Sequence, residues 1–160
     1  MKSMRPVLFL VVLSLLASLL AGCGDLGPAK DFAVIPLDDQ AKSISLKDFK
    51  GKLVLLDFWA TYCQPCRQAM PEVQSVWEKY RSRGLEVMAI SDEPRSVLLA
   101  FHRGSQLSYP VYVDSQGDAS LTYGVTQIPR FVLIKNGRII WDQLSYSPGE
   151  IEQHVADAIG

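Results

Sequence analysis

The stretch 53–59, Leu-Val-Leu-Leu-Asp-Phe-Trp, followed at once by a loop carrying Cys63-Gln64-Pro65-Cys66, constrains this 160-residue chain more than any other feature. An apolar run of that length, broken only by Asp57, suits a strand covered on both faces. From Gln64 to Arg83 the residues Met70, Val73, Val76, Trp77 and Tyr80 recur at three- and four-residue intervals, which is one face of an amphipathic helix. That stripe reads as core packing. Pro71 inside it predicts a kink, and Gly84 ends it. The cysteine pair therefore sits where a buried strand hands over to a helix.

The rest of the chain keeps the alternation. A second buried strand is predicted at 85–91, a second helix at 94–107, a short strand at 111–113 and a helical piece at 119–123. A strand at 128–135 meets Asn136-Gly137, the strongest two-residue hairpin signal, and 138–144 returns. A last helix opens at Pro148 or Gly149 and carries Ile151, Val155 and Ile159 on one face. Upstream, 32–37 and 42–46 form a small N-terminal β-element, and 45–51 a single helical turn ending on Gly51. This order predicts an α/β domain with a mixed sheet, without repeats or an internal linker.

The spacing of the cysteines has a chemical reason. Residues three apart in the first turn of a helix face the same side, so two sulfurs can bond with little backbone movement. The unpaired N–H groups and positive dipole end of the helix favour a thiolate. Cys63, at the cap, is the expected nucleophile, and Cys66, one turn in, the resolving thiol. Pro65 costs no hydrogen bond so early in the helix. A structural zinc site needs about four ligands, and His102 and His154 lie in separate predicted helices without finger-like spacing. A purely structural bridge would close too small a loop to stabilise much. Redox chemistry with no metal or other cofactor is the expectation.

The first residues have a different character. Lys2 and Arg5 precede an apolar run at 7–20 interrupted only by Ser14 and Ser18. A positive start, an apolar run and small residues before a cleavage point make a secretory signal. As an uncleaved helix, 7–22 would span roughly 24 Å, short of a hydrocarbon core of roughly 30 Å. Leu20-Ala21-Gly22-Cys23 resembles the bacterial lipoprotein signal, which implies lipid attachment at Cys23. The expected organisation is a signal peptide at 1–22, a tether at 23–31 and a domain at 32–160. That places the domain in a bacterial envelope, lipid-anchored and facing the periplasm or extracytoplasmic space. Beyond residue 22 the chain has 14 basic against 17 acidic side chains. With no basic face interleaved with aromatics, nucleic-acid binding is excluded.

Residues 56–66, Leu-Asp-Phe-Trp-Ala-Thr-Tyr-Cys-Gln-Pro-Cys, resemble the active-site segment of the thioredoxin superfamily, and Thr126-Gln127-Ile128-Pro129-Arg130-Phe131 resembles its cis-proline strand. With the N-terminal β-element and the αβ insert at 94–113, the chain is similar to the TlpA/ResA-like branch of envelope thiol–disulfide oxidoreductases. The resemblance implies a thioredoxin fold in which Pro129 is cis and lies against Cys63. Ile128 would offer backbone hydrogen bonds to an extended client, with Trp59 and Tyr62 beside it, and Asp57 would be a buried proton acceptor for Cys66. The implied partners are envelope protein thiols and disulfides, with a membrane or envelope electron donor. The implied task is disulfide reduction, with cytochrome c maturation one candidate process.

Three positions depart from the family pattern. Tyr62 stands where Trp is usual, Ala69 where a glutamate can occur, and Arg130 where Thr is commoner. Arg130 either faces the site or is a surface charge. Two other functions remain: a peroxiredoxin-type peroxidase and a non-catalytic peptide-binding lipoprotein. Against the first, Leu56 and Ala60 replace the Pro and Thr of Pro-x-x-x-Thr-x-x-Cys.

Overall fold

The computed structural model describes residues 24–160; the expected signal peptide and Cys23 lie outside them. Eight strands form one sheet: β1 (Gly27–Pro28), β2 (Ala33–Pro36), β3 (Ile44–Ser45), β4 (Leu53–Phe58), β5 (Leu85–Ser91), β6 (Val111–Val113), β7 (Arg130–Lys135) and β8 (Arg138–Gln143). Their order is β1-β8-β7-β4-β5-β6-β2-β3. β4, β5 and β6 run parallel, and the other pairings are antiparallel. The helices are α1 (Gln64–Tyr80), α2 (Arg95–Gly104), α3 (Asp118–Thr122) and α4 (Glu150–Ile159). The expected mixed-sheet α/β fold is the observed one.

β4 is central and buried along its whole length. Its period-two alternation divides the core. Leu53 and Leu55 face α1 and α4, against Val73, Val76 and Val155. Val54, Leu56 and Phe58 face the other way, against Phe32, Val34 and Tyr123. Each such side chain contributes about 1.5–3 kcal/mol by burial, so truncating Leu55 to Ala costs about 2–5 kcal/mol once the cavity is included.

Local chemistry sets the boundaries. α1 starts on Cys63 as N-cap, runs through Pro71, and passes into a 3-10 turn at Arg81–Arg83 that Gly84 ends with φ 95°. The β7–β8 turn puts Asn136 at φ 53° and Gly137 at φ 73°, the positive angles that a tight hairpin turn requires at both positions. β7 begins at Arg130 rather than 128, since Pro129 has no N–H to give the ladder. α2 stops at Gly104, where the Ser105 hydroxyl donates to the His102 carbonyl.

The stretch 24–31, expected to be a tether, lies along the domain. Gly27 and Pro28 pair with Ile139 and Arg138 of β8. Ala29 N–H donates to the Gly137 carbonyl, and Asp25 pairs with Arg138.

Candidate active site

The end of β4, the loop 59–62 and the first turn of α1 place the cysteines at the C-terminal edge of the parallel strands. Cys63 and Cys66 are joined as a disulfide, with Cα atoms 5.3 Å apart. Cys63 Sγ accepts a hydrogen bond from the Cys66 backbone N–H at 3.2 Å. The helix terminus therefore already directs a donor at the sulfur that would carry negative charge after reduction. Cys63 is 7% exposed and Cys66 2%, so an approaching sulfur meets Cys63 first.

Asp57 projects from β4 toward the face covered by α1, the helix that carries Cys66. It is 3% exposed, and no hydrogen-bond donor among the described residues reaches its carboxyl. Burial pushes its pKa up to about 7. No lysine pairs with it among the described residues, so it is not a structural ion pair. Tyr109 is buried, and its hydroxyl is held above the ordinary phenol range first by burial and then by the Asp57 charge. Tyr109 was not singled out in the sequence; nothing in its local pattern marks it as a neighbour of Asp57. Ala69 is buried in the same apolar cluster as the cysteines and brings no second carboxyl there.

The Ile128–Pro129 peptide is cis. Ile128 packs against both apolar clusters, including the one that holds Cys63 and Cys66. Among the described residues, no backbone hydrogen bond engages Thr126, Gln127 or Ile128. A cleft of about 190 Å³ runs beside them, with Tyr62 and Trp59 in its wall. Tyr62 is 75% exposed. Trp59 is almost fully buried, tilted against Phe101 with ring centroids 5.4 Å apart, and its indole N–H has no partner among the described residues.

Arg130 neither faces the sulfurs nor lies free on the surface. It pairs with Phe58 in the ladder, on the face away from α1. Its Nε and Nη2 donate to the two Asp142 carboxylate oxygens at 2.9 and 2.8 Å, and its Nη1 to the carbonyls of Tyr123 and Gly124. This fork ties β7 to β8 and to the end of α3. Glu93, which the sequence left unmarked, holds the loop just before Cys63 through Thr61. Among the described residues no three His, Cys, Asp or Glu side chains converge as metal ligands. His154 stacks on Trp141 instead.

A Cys-x-x-Cys pair at a strand-to-helix junction, on a mixed sheet with a cis-proline loop, defines a protein of the thioredoxin superfamily. Residues 27–142 match the AhpC/TSA family, and the chain belongs to it. The chain is 40% identical over 114 residues to the thiol-disulfide oxidoreductase ResA of Bacillus thuringiensis subsp. konkukian; that match covers 70% of this chain and 65% of that protein, somewhat less than two thirds of its length. A Chlorobium tepidum structure provisionally assigned as a thiol:disulfide interchange protein DsbE superposes with a TM-score of 0.76 at 30% identity, covering 87% of this chain and 99% of that one. StoA of Bacillus subtilis shares the fold, with a TM-score of 0.68 at 22% identity over 79% of this chain and 96% of that one. The resemblance read from 56–66 and 126–131 is borne out.

Proposed function

We propose that the protein is a thiol–disulfide oxidoreductase that reduces disulfides of other envelope proteins. The observation that carries this reading is the Cys63–Cys66 pair at the start of α1, with the Cys66 N–H already directed at Cys63 Sγ. In the reduced protein the Cys63 thiolate attacks one sulfur of a client disulfide. A mixed disulfide forms, and the other client sulfur leaves as a thiolate and takes a proton. Cys66 then passes its proton to Asp57 and attacks Cys63 Sγ, breaking the bond to the client; the second client sulfur leaves as a thiolate and takes up the proton that Asp57 gives back. The client gains two electrons and two protons, and the pair is left as the disulfide. An envelope dithiol donor restores it. Asp57 suits the proton step because burial brings its pKa up to about 7. The unengaged backbone at 126–128 suits an extended client added as a strand, with Tyr62 and Trp59 beside it. Pro129 next to it has no N–H to compete.

The likeness to ResA supports thiol–disulfide exchange, and the family resemblance makes reduction its direction and apocytochrome cysteines awaiting haem attachment a candidate client class. A peroxidase is disfavoured, since Leu56 and Ala60 stand where Pro and Thr would be needed before Cys63. The test is reduction of a fluorogenic peptide disulfide beside consumption of hydrogen peroxide. The reading expects the first to need Cys63 and the second to be slow; the reverse pattern overturns it. Lipid attachment at Cys23, after cleavage of 1–22, is part of the proposal. Mass spectrometry of the mature protein checks it: a diacylglyceryl adduct is expected on Cys23, and an unmodified or uncleaved N-terminus rejects it.

A further inference from the structure

The loop that presents Cys63 is held by a residue from another strand connection. β4 continues its ladder one residue past its end, with Trp59 N–H donating to the Ile90 carbonyl at 3.1 Å. The chain then leaves the sheet and turns, and Cys63 N–H donates to the Ala60 carbonyl at 3.1 Å. Between these fixed points lies Thr61, both of whose donors go to Glu93. Its backbone N–H reaches Oε2 at 2.6 Å, and its hydroxyl reaches Oε1 at 2.7 Å. Glu93 follows β5 and is itself aimed, because its backbone N–H donates to the hydroxyl of buried Ser91 at 3.3 Å. Both carboxylate oxygens thus accept from a residue two positions before the nucleophile, and Oε2 also accepts from the Ser91 hydroxyl at 3.4 Å. A carboxylate only accepts, and bonds of this kind to a charged acceptor are short and about twice as strong as neutral ones.

We propose that Glu93 is a positioning residue for thiol–disulfide exchange: through Thr61 it fixes the loop that presents Cys63, and its negative charge opposes thiolate formation there, which makes the pair more reducing. The inference rests on the exchange reading above. Its electrostatic part follows from sign. A fixed negative charge near a sulfur raises the free energy of the thiolate, so removing that charge favours the reduced pair. Its positional part follows from the sensitivity of exchange to alignment, where a displacement of about 1 Å can cost about 100-fold in rate.

Three variants of the full chain separate the two parts. Glu93→Gln keeps the shape, accepting from the Thr61 N–H and donating to its hydroxyl, but removes the charge. It is expected to lower the pH at which Cys63 becomes alkylable and to shift the equilibrium with glutathione toward the dithiol by about 10-fold, or ~30 mV. Glu93→Ala removes charge and hold together, and should also slow reduction of a peptide disulfide by 10- to 100-fold. Thr61→Val keeps the N–H bond and loses the hydroxyl bond, and should slow reduction by about 3-fold with little change in the equilibrium. Should Glu93→Ala fail to fold, the other two still decide. Folded variants with the wild-type alkylation profile, potential and rates would overturn the proposal and leave Glu93 a purely structural contact. Alkylation and potential are read on the protein alone, so a wild type that reduces no peptide sinks the exchange reading and not this one.

Discussion

Asp57 and Asp114 are both almost fully buried aspartates, 3% and 2% exposed, yet the protein treats them in opposite ways. Asp114 follows β6 and accepts from the backbone N–H groups of Ala119 and Ser120 at 3.2 and 2.9 Å. Its carboxylate takes up unpaired donors at the start of α3 and needs nothing else. Asp57 lies on the opposite side of the core, under α1, with no donor among the described residues and a pKa pushed up to about 7 by burial. A buried acid whose hydrogen bonds are complete is a joint. One left without them is poised to take and give a proton, at a standing cost to stability.

The largest effect that would sharpen this contrast is on the cysteine pair that Asp57 is proposed to serve. Cys63→Ser should abolish peptide-disulfide reduction, a loss above about 10³-fold by the same assay, whereas Cys66→Ser should accumulate a mixed disulfide visible by intact mass. Asp57→Asn should slow release of that mixed disulfide by about 100-fold and at the same time stabilise the protein at pH 8. Its folded pKa lies above the unfolded value of 3.8, so burying it protonated carries no ionisation penalty below about pH 4, and a penalty builds as pH rises to about 7. Removing the carboxyl should therefore raise urea-unfolding stability at pH 8 by on the order of 4 kcal/mol and leave it little changed at pH 4. Equal effects at the two pH values would break the contrast.

Asp114→Ala should do the reverse, costing about 1–3 kcal/mol while leaving the rate per folded molecule intact. Arg130→Met, which frees Asp142 and the end of α3, should cost a similar 1–3 kcal/mol, also without a redox phenotype. The smallest effect is expected at the client surface: Tyr62→Ala should raise KM for a peptide disulfide about 3-fold with kcat held, since an exposed ring contributes uniform binding.

How much of this was legible depended on how far apart in sequence the interacting residues lie. The run at 53–58, the helical stripe after Cys66 and the Asn136-Gly137 turn are local patterns, and each became the element expected. The neighbouring positions of Cys63 and Cys66 followed from helix geometry alone. Glu93 was not legible, because its partner Thr61 is 32 residues away and belongs to a different strand connection. The same holds for Arg130, whose destination depends on the pairing of β7 with β8 and on where α3 ends. β1 was missed for another reason: two residues that contribute only backbone bonds leave no apolar period to detect.

That short strand has a consequence for life among other proteins. A sheet's outermost strand offers unpaired N–H and C=O groups that recruit foreign chains. Here one border is the two-residue β1, ending in Pro28, and the other is the two-residue β3. Neither is long enough to template a neighbour, and Pro28 has no donor to offer. The backbone at 126–128 is the contrasting case, a row of such groups that no backbone hydrogen bond engages among the described residues, along the cleft that Trp59 and Tyr62 wall. Foreign chains are thus discouraged at these two short borders, and under the proposed exchange reading self-association and client capture would not compete for the same stretch of backbone.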